Sequence, residues 1–276
     1  MTYNAKDELY SFVARLRKQL NITEYPINTI NICSNFGIAD VIKHNFKTFG
    51  MCAAAMSGEK KNTIILNSCR SESEQNFDCG HEIIHLTKHQ HTKIEIFNCF
   101  SSTKPTQNEF LEWESNEGAA ELIVPFYELI HKIEEYDVDT KDGSNIFEFK
   151  QKVSRFFNVS MSVIELRLEN LKYEIDQYLN GVPIEYISFL SKSQQYQQGI
   201  IVQSLNDLEK QYYHSKYLDD FFDYIPEESG NDIVSHGFFG YSSKMHENEI
   251  AKQKYQHNLM MIEKWHDKWL DPDYKF

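Results

Sequence analysis

The chain has 276 residues, of which 41% are hydrophobic and 25% charged, which is typical of a globular protein with one or two domains. Its 28 lysines and arginines are outnumbered by 41 aspartates and glutamates, and a net charge of −13 is repelled by phosphate backbones, so we expect no specific binding of nucleic acid. The five cysteines are scattered without C-x-x-C spacing, which indicates free thiols and a cytoplasmic location. No apolar run reaches the roughly 18 residues of a membrane span, so we expect no membrane partner.

The chain before residue 70 predicts two helices followed by a small sheet. Apolar side chains near the start recur at the spacing of an amphipathic helix: Leu9, Phe12, Val13, Leu16 and Leu20. A shorter helix is predicted over residues 27–35 and ended by Gly37. Residues 38–46 have the β-branched character of a strand, and the apolar runs 51–56 and 63–67 predict a β-hairpin.

The central feature of the sequence is an H-E-x-x-H motif formed by His81, Glu82 and His85. Two histidines four residues apart lie on the same face of a helix, so both imidazoles can reach one Zn²⁺. The glutamate that follows the first histidine can take a proton from a water that the metal activates. Because the motif also arises by chance, the metal-site prediction needs a third ligand and a helical setting.

Helix signals surround the motif on both sides. Residues 71–74, Ser-Glu-Ser-Glu, form a capping box that predicts the start of the metal-binding helix. Gly80 in mid-helix costs about 0.5–1 kcal/mol relative to alanine, so we expect another element to pack closely against it. A polar loop is predicted over residues 90–105. Residues 106–109, Thr-Gln-Asn-Glu, predict a second capping box for a helix that ends before Pro125.

Two residues compete for the position of the third ligand. His91 lies six residues after His85, as in metzincins, but those enzymes turn at a glycine where this chain has Lys88. Glu112 lies 27 residues after His85 on a separate predicted helix, which is gluzincin spacing, and Asn116 one turn later would brace the site. The competing interpretation of this helix is a solvated face of glutamates: Glu112, Glu114 and Glu117.

Motifs spread over residues 22–172 follow one family pattern: I-I-L-N at 64–67, H-E-I-I-H at 81–85, E-W-E-S-N-E-G-A-A-E-L-I-V-P at 112–125 and F-N-V-S at 157–160. In these motifs the chain resembles the ImmA/IrrE metallopeptidases. Four positions depart from the family pattern without removing a ligand: Gly80 for alanine, Ile84 for glycine, Ser115 for alanine and Gly118 for phenylalanine.

The resemblance implies a set of site residues. His81, His85 and Glu112 match the zinc ligands, so one Zn²⁺ per chain is expected. Glu82 matches the general base, and Asn116 matches the asparagine one turn after the ligand glutamate. No residue is assigned to stabilise an oxyanion; His89 is a weak candidate, and we interpret it as a surface residue. An exposed edge of the hairpin is predicted to hold the substrate as an added strand.

We therefore predict an α+β fold, a minimal zincin-like metallopeptidase with a small antiparallel sheet and the H-E-x-x-H helix, followed by a helical C-terminal region. The predicted parts are a zinc metallopeptidase domain over 1–134, a small helix-turn-helix-like subdomain over 135–178 and a mostly helical extension over 179–276. The extension includes a long polar helix over 245–270.

The resemblance also implies a function and a partner. Members of the family are cytoplasmic proteases of bacteria and their mobile elements that act on DNA-bound transcriptional repressors. We therefore expect a zinc endopeptidase whose protein substrate is a helix-turn-helix repressor of phage, mobile-element or stress genes. The alternative is a non-catalytic, metal-containing module that binds and sequesters a regulatory protein.

Overall fold

The structure is a computed structural model that describes residues 5–90, 94–101, 104 and 107–222. The first half contains α1 (Ala5–Gln19), α2 (Thr29–Phe36), β1 (Asp40–His44), β2 (Met51–Ser57), β3 (Thr63–Asn67), α3 (Glu72–Ile84), a π-helical turn (His85–His89), β4 (Glu95–Phe100) and α4 (Glu109–Ile123). The second half contains α5 (Phe126–Glu135), α6 (Ile146–Phe157), α7 (Met161–Asn170), α8 (Lys172–Leu179), a 3₁₀ turn (Ile184–Tyr186), α9 (Lys192–Gln197) and α10 (Leu205–Phe222).

The predicted α+β class is confirmed, with one four-stranded sheet in the order β1-β3-β2-β4. The predicted hairpin is β2 and β3, which pair antiparallel. β1 pairs with β3 in the parallel direction, so the sheet is mixed rather than wholly antiparallel. Both hairpin strands lie inside the sheet, so the prediction of a hairpin edge for the substrate is wrong; the edges are β1 and β4.

The predicted polar loop over 90–105 is wrong at its centre, where the chain forms β4. This strand pairs antiparallel with β2, with Ala55 opposite Phe97. Four of its six residues are apolar, namely Ile96, Phe97, Cys99 and Phe100, but polar residues flank the strand on both sides, and the whole segment therefore suggested a loop. The strand depends on a pairing across some 40 residues of chain, which local composition does not show.

The predicted helix signals of the N-terminal half are confirmed. α1 buries Leu9, Val13 and Leu16, and α2 ends at Gly37, whose φ of +63° lies in the left-handed region that glycine favours. α3 begins with the predicted capping box, in which the hydroxyl of the cap Ser71 accepts from the backbone of Glu74.

The second predicted capping box is wrong, because α4 begins two residues later than predicted. Its cap is Asn108, whose side-chain oxygen accepts from the backbone N–H groups of Phe110 and Leu111. An asparagine cap satisfies the same open donors as a threonine would. The predicted cap, Thr106, lies outside the described residues.

One hydrophobic core extends from α1 to α10, and Leu9 and Leu205 are both buried in it. Contacts cross the predicted boundaries after residues 134 and 178. For example, Lys6 of α1 forms a buried ion pair with Glu174 of α8 at 2.7 Å. The division into three parts therefore stays a prediction. Within the described residues, no helix is long and apolar enough to cross a bilayer. The predicted helix over 245–270 and His91 lie outside them.

Candidate metal centre

The site lies where α3 packs on α4, and two glycines allow the helices to approach closely. A Cβ added at Gly80 would lie 3.1 Å from Cδ1 of Ile123 on α4, so the predicted close packing at this glycine is confirmed. A Cβ added at Gly118 of α4 would lie 3.1–3.3 Å from three atoms of Ile84 on α3. The two helix backbones are therefore close enough for a side chain of α4 to reach the histidines of α3.

Three candidate ligand atoms converge between these helices. Nε2 of His81 lies 3.1 Å from Nε2 of His85, and the Glu112 carboxylate lies 3.4 Å from the first and 3.6 Å from the second. Zn–N bonds of about 2.0–2.1 Å at tetrahedral angles give ligand atoms about 3.3 Å apart. The three atoms therefore have the spacing of a tetrahedral zinc site with one position left for water or substrate.

Glu82 presents an unpaired carboxylate beside this group. Both carboxylate oxygens are fully buried, and no hydrogen-bond donor in the described part of the chain reaches them. One oxygen lies within 4.8 Å of a ring nitrogen of His81. Burial raises the pKa of Glu82 well above its usual value, and the nearby Glu112 and Asp78 raise it further. A buried carboxylate of this kind needs a positive partner, and a divalent ion among the converging ligands supplies one.

The ring of His85 is held in the neutral form that binds metal. Burial lowers its pKa to about 2, and the neighbouring His81 and His89 add to this effect. Phe97 of β4 stacks on the ring, with centroids 4.6 Å apart and planes inclined by 17°. The unforeseen strand β4 therefore contributes directly to the site.

Asn116 lies one turn after Glu112, and its Oδ1 is 2.9 Å from Nδ1 of His81. When Nε2 of His81 offers its lone pair to a metal, Nδ1 carries the proton and donates it to this amide oxygen. The structure thus brings all five predicted site residues into one cluster. The roles given to His81, Glu82, His85, Glu112 and Asn116 stay predictions.

His89 is not the surface residue that we expected. Its side chain is 2% exposed, with Nδ1 3.1 Å from Nδ1 of His85 and Nε2 3.0 Å from Oε2 of Glu114. The signal that sequence reasoning missed is the interval of four that joins His81, His85 and His89 into one series.

The interpretation of α4 as a solvated face is wrong for two of its three glutamates. Glu114 and Glu117 are each 3% exposed. Glu114 contacts His89 and lies 3.1 Å from Nζ of Lys88, whereas Glu117 lies 2.6 Å from the guanidinium of Arg167. The metzincin alternative also loses support, because the chain continues through Lys88 in the π-helical turn instead of turning sharply there.

A neighbouring buried cluster offers metal-type side chains but already has a counter-charge. Cys52, Asp78 and Cys99 have ligand atoms within 4.8 Å of one another. Nε of Arg70 donates to Oδ2 of Asp78 at 2.6 Å, so this carboxylate is paired with a cation. Among the described residues, no lysine or arginine forms an ion pair with Glu112, which makes its cluster the stronger candidate for a metal.

Residues 38–169 match the family described as the IrrE N-terminal-like domain, Peptidase_M78. The match includes every strand of the described sheet and both helices that carry the candidate ligands. The resemblance to the ImmA/IrrE metallopeptidases is thereby confirmed. The match to Peptidase_M78 points to a metallopeptidase, a hydrolase of a family that is typically zinc-dependent. A search of curated proteins finds no sequence match to the chain.

Proposed function

We propose that this chain is a zinc-dependent endopeptidase that cleaves a transcriptional repressor of the helix-turn-helix class. The observation that carries the proposal is the convergence of His81, His85 and Glu112 beside the unpaired carboxylate of Glu82. A structural zinc site needs no unpaired carboxylate next to its ligands, whereas a hydrolytic site does.

The mechanism assigns one task to each residue. His81, His85 and Glu112 would hold the ion, and zinc bound there would supply the Lewis-acid chemistry that polarises a peptide carbonyl and acidifies water. Glu82 accepts the proton of the attacking water and passes it to the nitrogen of the leaving amine. Both carboxylate oxygens of Glu82 are free of hydrogen-bond donors among the described residues, so they are available to the water and then to the amine.

The substrate is a protein, and the repressor class follows from the family resemblance. The net charge of −13 disfavours direct binding to DNA, so the enzyme would reach the repressor through protein contacts. β4 is the sheet edge at the site, because Phe97 on this strand stacks on His85. An extended segment of the substrate that pairs with β4 would therefore lie beside the metal centre.

The variant Glu82→Gln tests this proposal. The amide keeps the size of the carboxylate and removes no metal ligand, so zinc content and fold should persist. It cannot accept a proton, and cleavage should fall about 10²–10⁴-fold. The measurement co-expresses wild type or variant with a helix-turn-helix repressor encoded beside it, and follows repressor length by blot and its target gene by reporter.

The surface variant His131→Ala is the matched control, because His131 is exposed and remote from the site. It should cleave as wild type does. If Glu82→Gln relieves repression as well as wild type while the repressor stays intact, the protein acts by sequestration and the peptidase proposal is wrong.

A further inference from the structure

A chain of buried polar groups extends from His85 away from the metal position. Nδ1 of His85 lies 3.1 Å from Nδ1 of His89, and Nε2 of His89 lies 3.0 Å from Oε2 of Glu114. The side chains of the three groups are 1%, 2% and 5% exposed. Lys88 lies 3.1 Å from the other oxygen of Glu114 and balances its charge. We call His85, His89 and Glu114 the histidine relay.

Only one arrangement of protons in the histidine relay is compatible with metal binding. A ligating Nε2 of His85 offers a lone pair, so the proton of this ring is on Nδ1. Among the described residues, the acceptor that the structure places at this proton is Nδ1 of His89. His89 must then carry its own proton on Nε2, where it donates to Glu114. The reverse arrangement places a proton on Nε2 of His85, where the metal would bind.

Two other contacts act on the same rings. The hydroxyl of Ser115 lies 3.4 Å from Nδ1 of His89, and in this arrangement it can only donate to that nitrogen. The stacking of Phe97 fixes the plane of the His85 ring but does not distinguish one ring edge from the other. The hydrogen bond to His89 makes that distinction, because a flipped ring would present a carbon to the acceptor.

We propose that His89 and Glu114 are positioning residues that fix the tautomer and orientation of His85 for metal binding. This proposal rests on the proposed function, since it assumes a metal on Nε2 of His85. His89 cannot bind the same ion, because it contacts the ring nitrogen on the far side of His85. The contact between the rings of His85 and His89 is edge-on, with planes inclined by 68°, and the backbone at this contact is the π-helical turn over His85–His89.

The two histidine ligands are therefore braced in different ways. His81 donates to the amide of Asn116, which is an exposed residue, whereas His85 donates into a buried relay that ends on a carboxylate. A carboxylate behind a ligand histidine strengthens the basicity of the metal-binding nitrogen. Loss of such a partner typically weakens metal binding about 10–100-fold.

The test compares His89→Leu with His89→Asn, two side chains with the same number of non-hydrogen atoms and the same branch at Cγ. The asparagine carbonyl can take the place of Nδ1 and accept the proton of His85, whereas leucine offers no acceptor. Zinc affinity, measured by competition with a chromophoric chelator, should fall about 10–100-fold in His89→Leu and by only a few-fold in His89→Asn. The control His131→Ala should bind zinc as wild type does. Circular dichroism and thermal unfolding of the metal-free proteins establish that each variant is folded.

A second measurement reads the relay directly in the zinc-loaded wild type. In protein labelled with ¹⁵N-histidine, His89 should show the Nε2–H tautomer, with a scalar coupling between the two Nδ1 atoms across the hydrogen bond. A His89 with its proton on Nδ1 would contradict the proposal. Equal zinc affinity of His89→Leu and wild type would also overturn it, and would leave the proposed function intact. A wild-type protein that binds no zinc would instead overturn the proposed function.

Discussion

The two sides of α4 carry glutamates in two different electrostatic settings. On the side that faces α3, Glu112 meets two histidines and no protein cation in the described residues. On the opposite side, Glu117 and Glu121 both pair with the guanidinium of Arg167, which is fully buried. The same residue type thus meets two histidines of the proposed metal site on one side of a helix and forms a structural ion pair on the other.

The role of a buried glutamate is indicated by the group that supplies its counter-charge. A carboxylate in the protein interior requires a counter-charge, because burial strongly disfavours an isolated ion. Arg167 supplies that charge for Glu117 and Glu121, and the hydroxyl of Tyr10 donates to Glu117 at 2.5 Å. Among the described residues, no lysine or arginine pairs with Glu112, and the metal that we propose between His81, His85 and Glu112 would supply its counter-charge.

The largest expected effect is on zinc affinity, which should depend on Glu112 and not on Glu117. Glu112→Ala removes a ligand, so zinc affinity should fall by more than the roughly 10–100-fold that the loss of a bracing partner costs. Glu117→Ala should lower stability but keep zinc affinity near wild type, because Glu117 faces Arg167. Chelator competition on folded protein measures both. If Glu117→Ala lost zinc and Glu112→Ala kept it, the comparison would be wrong.

A second effect concerns the ion-pair side alone. Arg167→Met leaves Glu117 and Glu121 buried without their cation, and the free energy of unfolding should fall by about 3–5 kcal/mol. The matched control is Lys172→Met, since Lys172 pairs with Glu169 at 2.8 Å where both side chains are partly exposed. This change should cost about 1 kcal/mol or less. Urea unfolding of the metal-free proteins measures both, and equal losses would contradict the assignment of Arg167 as the central partner.

The sequence predicted the parts of the fold and site that depend on local spacing. The helical periodicity of α1, the cap at Ser71 and the four-residue interval of His81 and His85 are all local, and each appears in the structure. β4 was missed although four of its six residues are apolar, because polar residues flank this short strand on both sides and its pairing with the distant β2 is not visible in the local sequence.

The site residues that were missed depend on contacts between distant segments. The partner of His89 lies 25 residues later on another helix, and no local rule joins them. Glu117 and Arg167 are 50 residues apart, so the charges of α4 suggested a solvated face until their partner was known. The π-helical turn also has no sequence signal that we recognised, although it accompanies the contact between His85 and His89.

The two most unusual departures from the family pattern touch each other at the packing of α3 on α4. The pattern has glycine where this chain has Ile84 and phenylalanine where it has Gly118. A Cβ added at Gly118 would lie 3.1, 3.2 and 3.3 Å from three side-chain atoms of Ile84. In this chain the large residue is on α3 and the small one on α4, whereas the family pattern has the small residue on α3 and the large one on α4. The exchange keeps the space between the helices filled, and with it the approach of Glu112 to the histidines.

The smallest expected effect tests this compensation. Gly118→Ala should overpack the contact and cost about 1–3 kcal/mol, which the better helix propensity of alanine, about 1 kcal/mol, only partly offsets. With Ile84→Ala in the background, the three crowding atoms are gone, so the same Gly118→Ala change should become neutral or stabilising. A double-mutant cycle by urea unfolding measures this change of sign, and chelator competition follows zinc affinity in the same proteins. Additive effects would show that the two residues do not compensate.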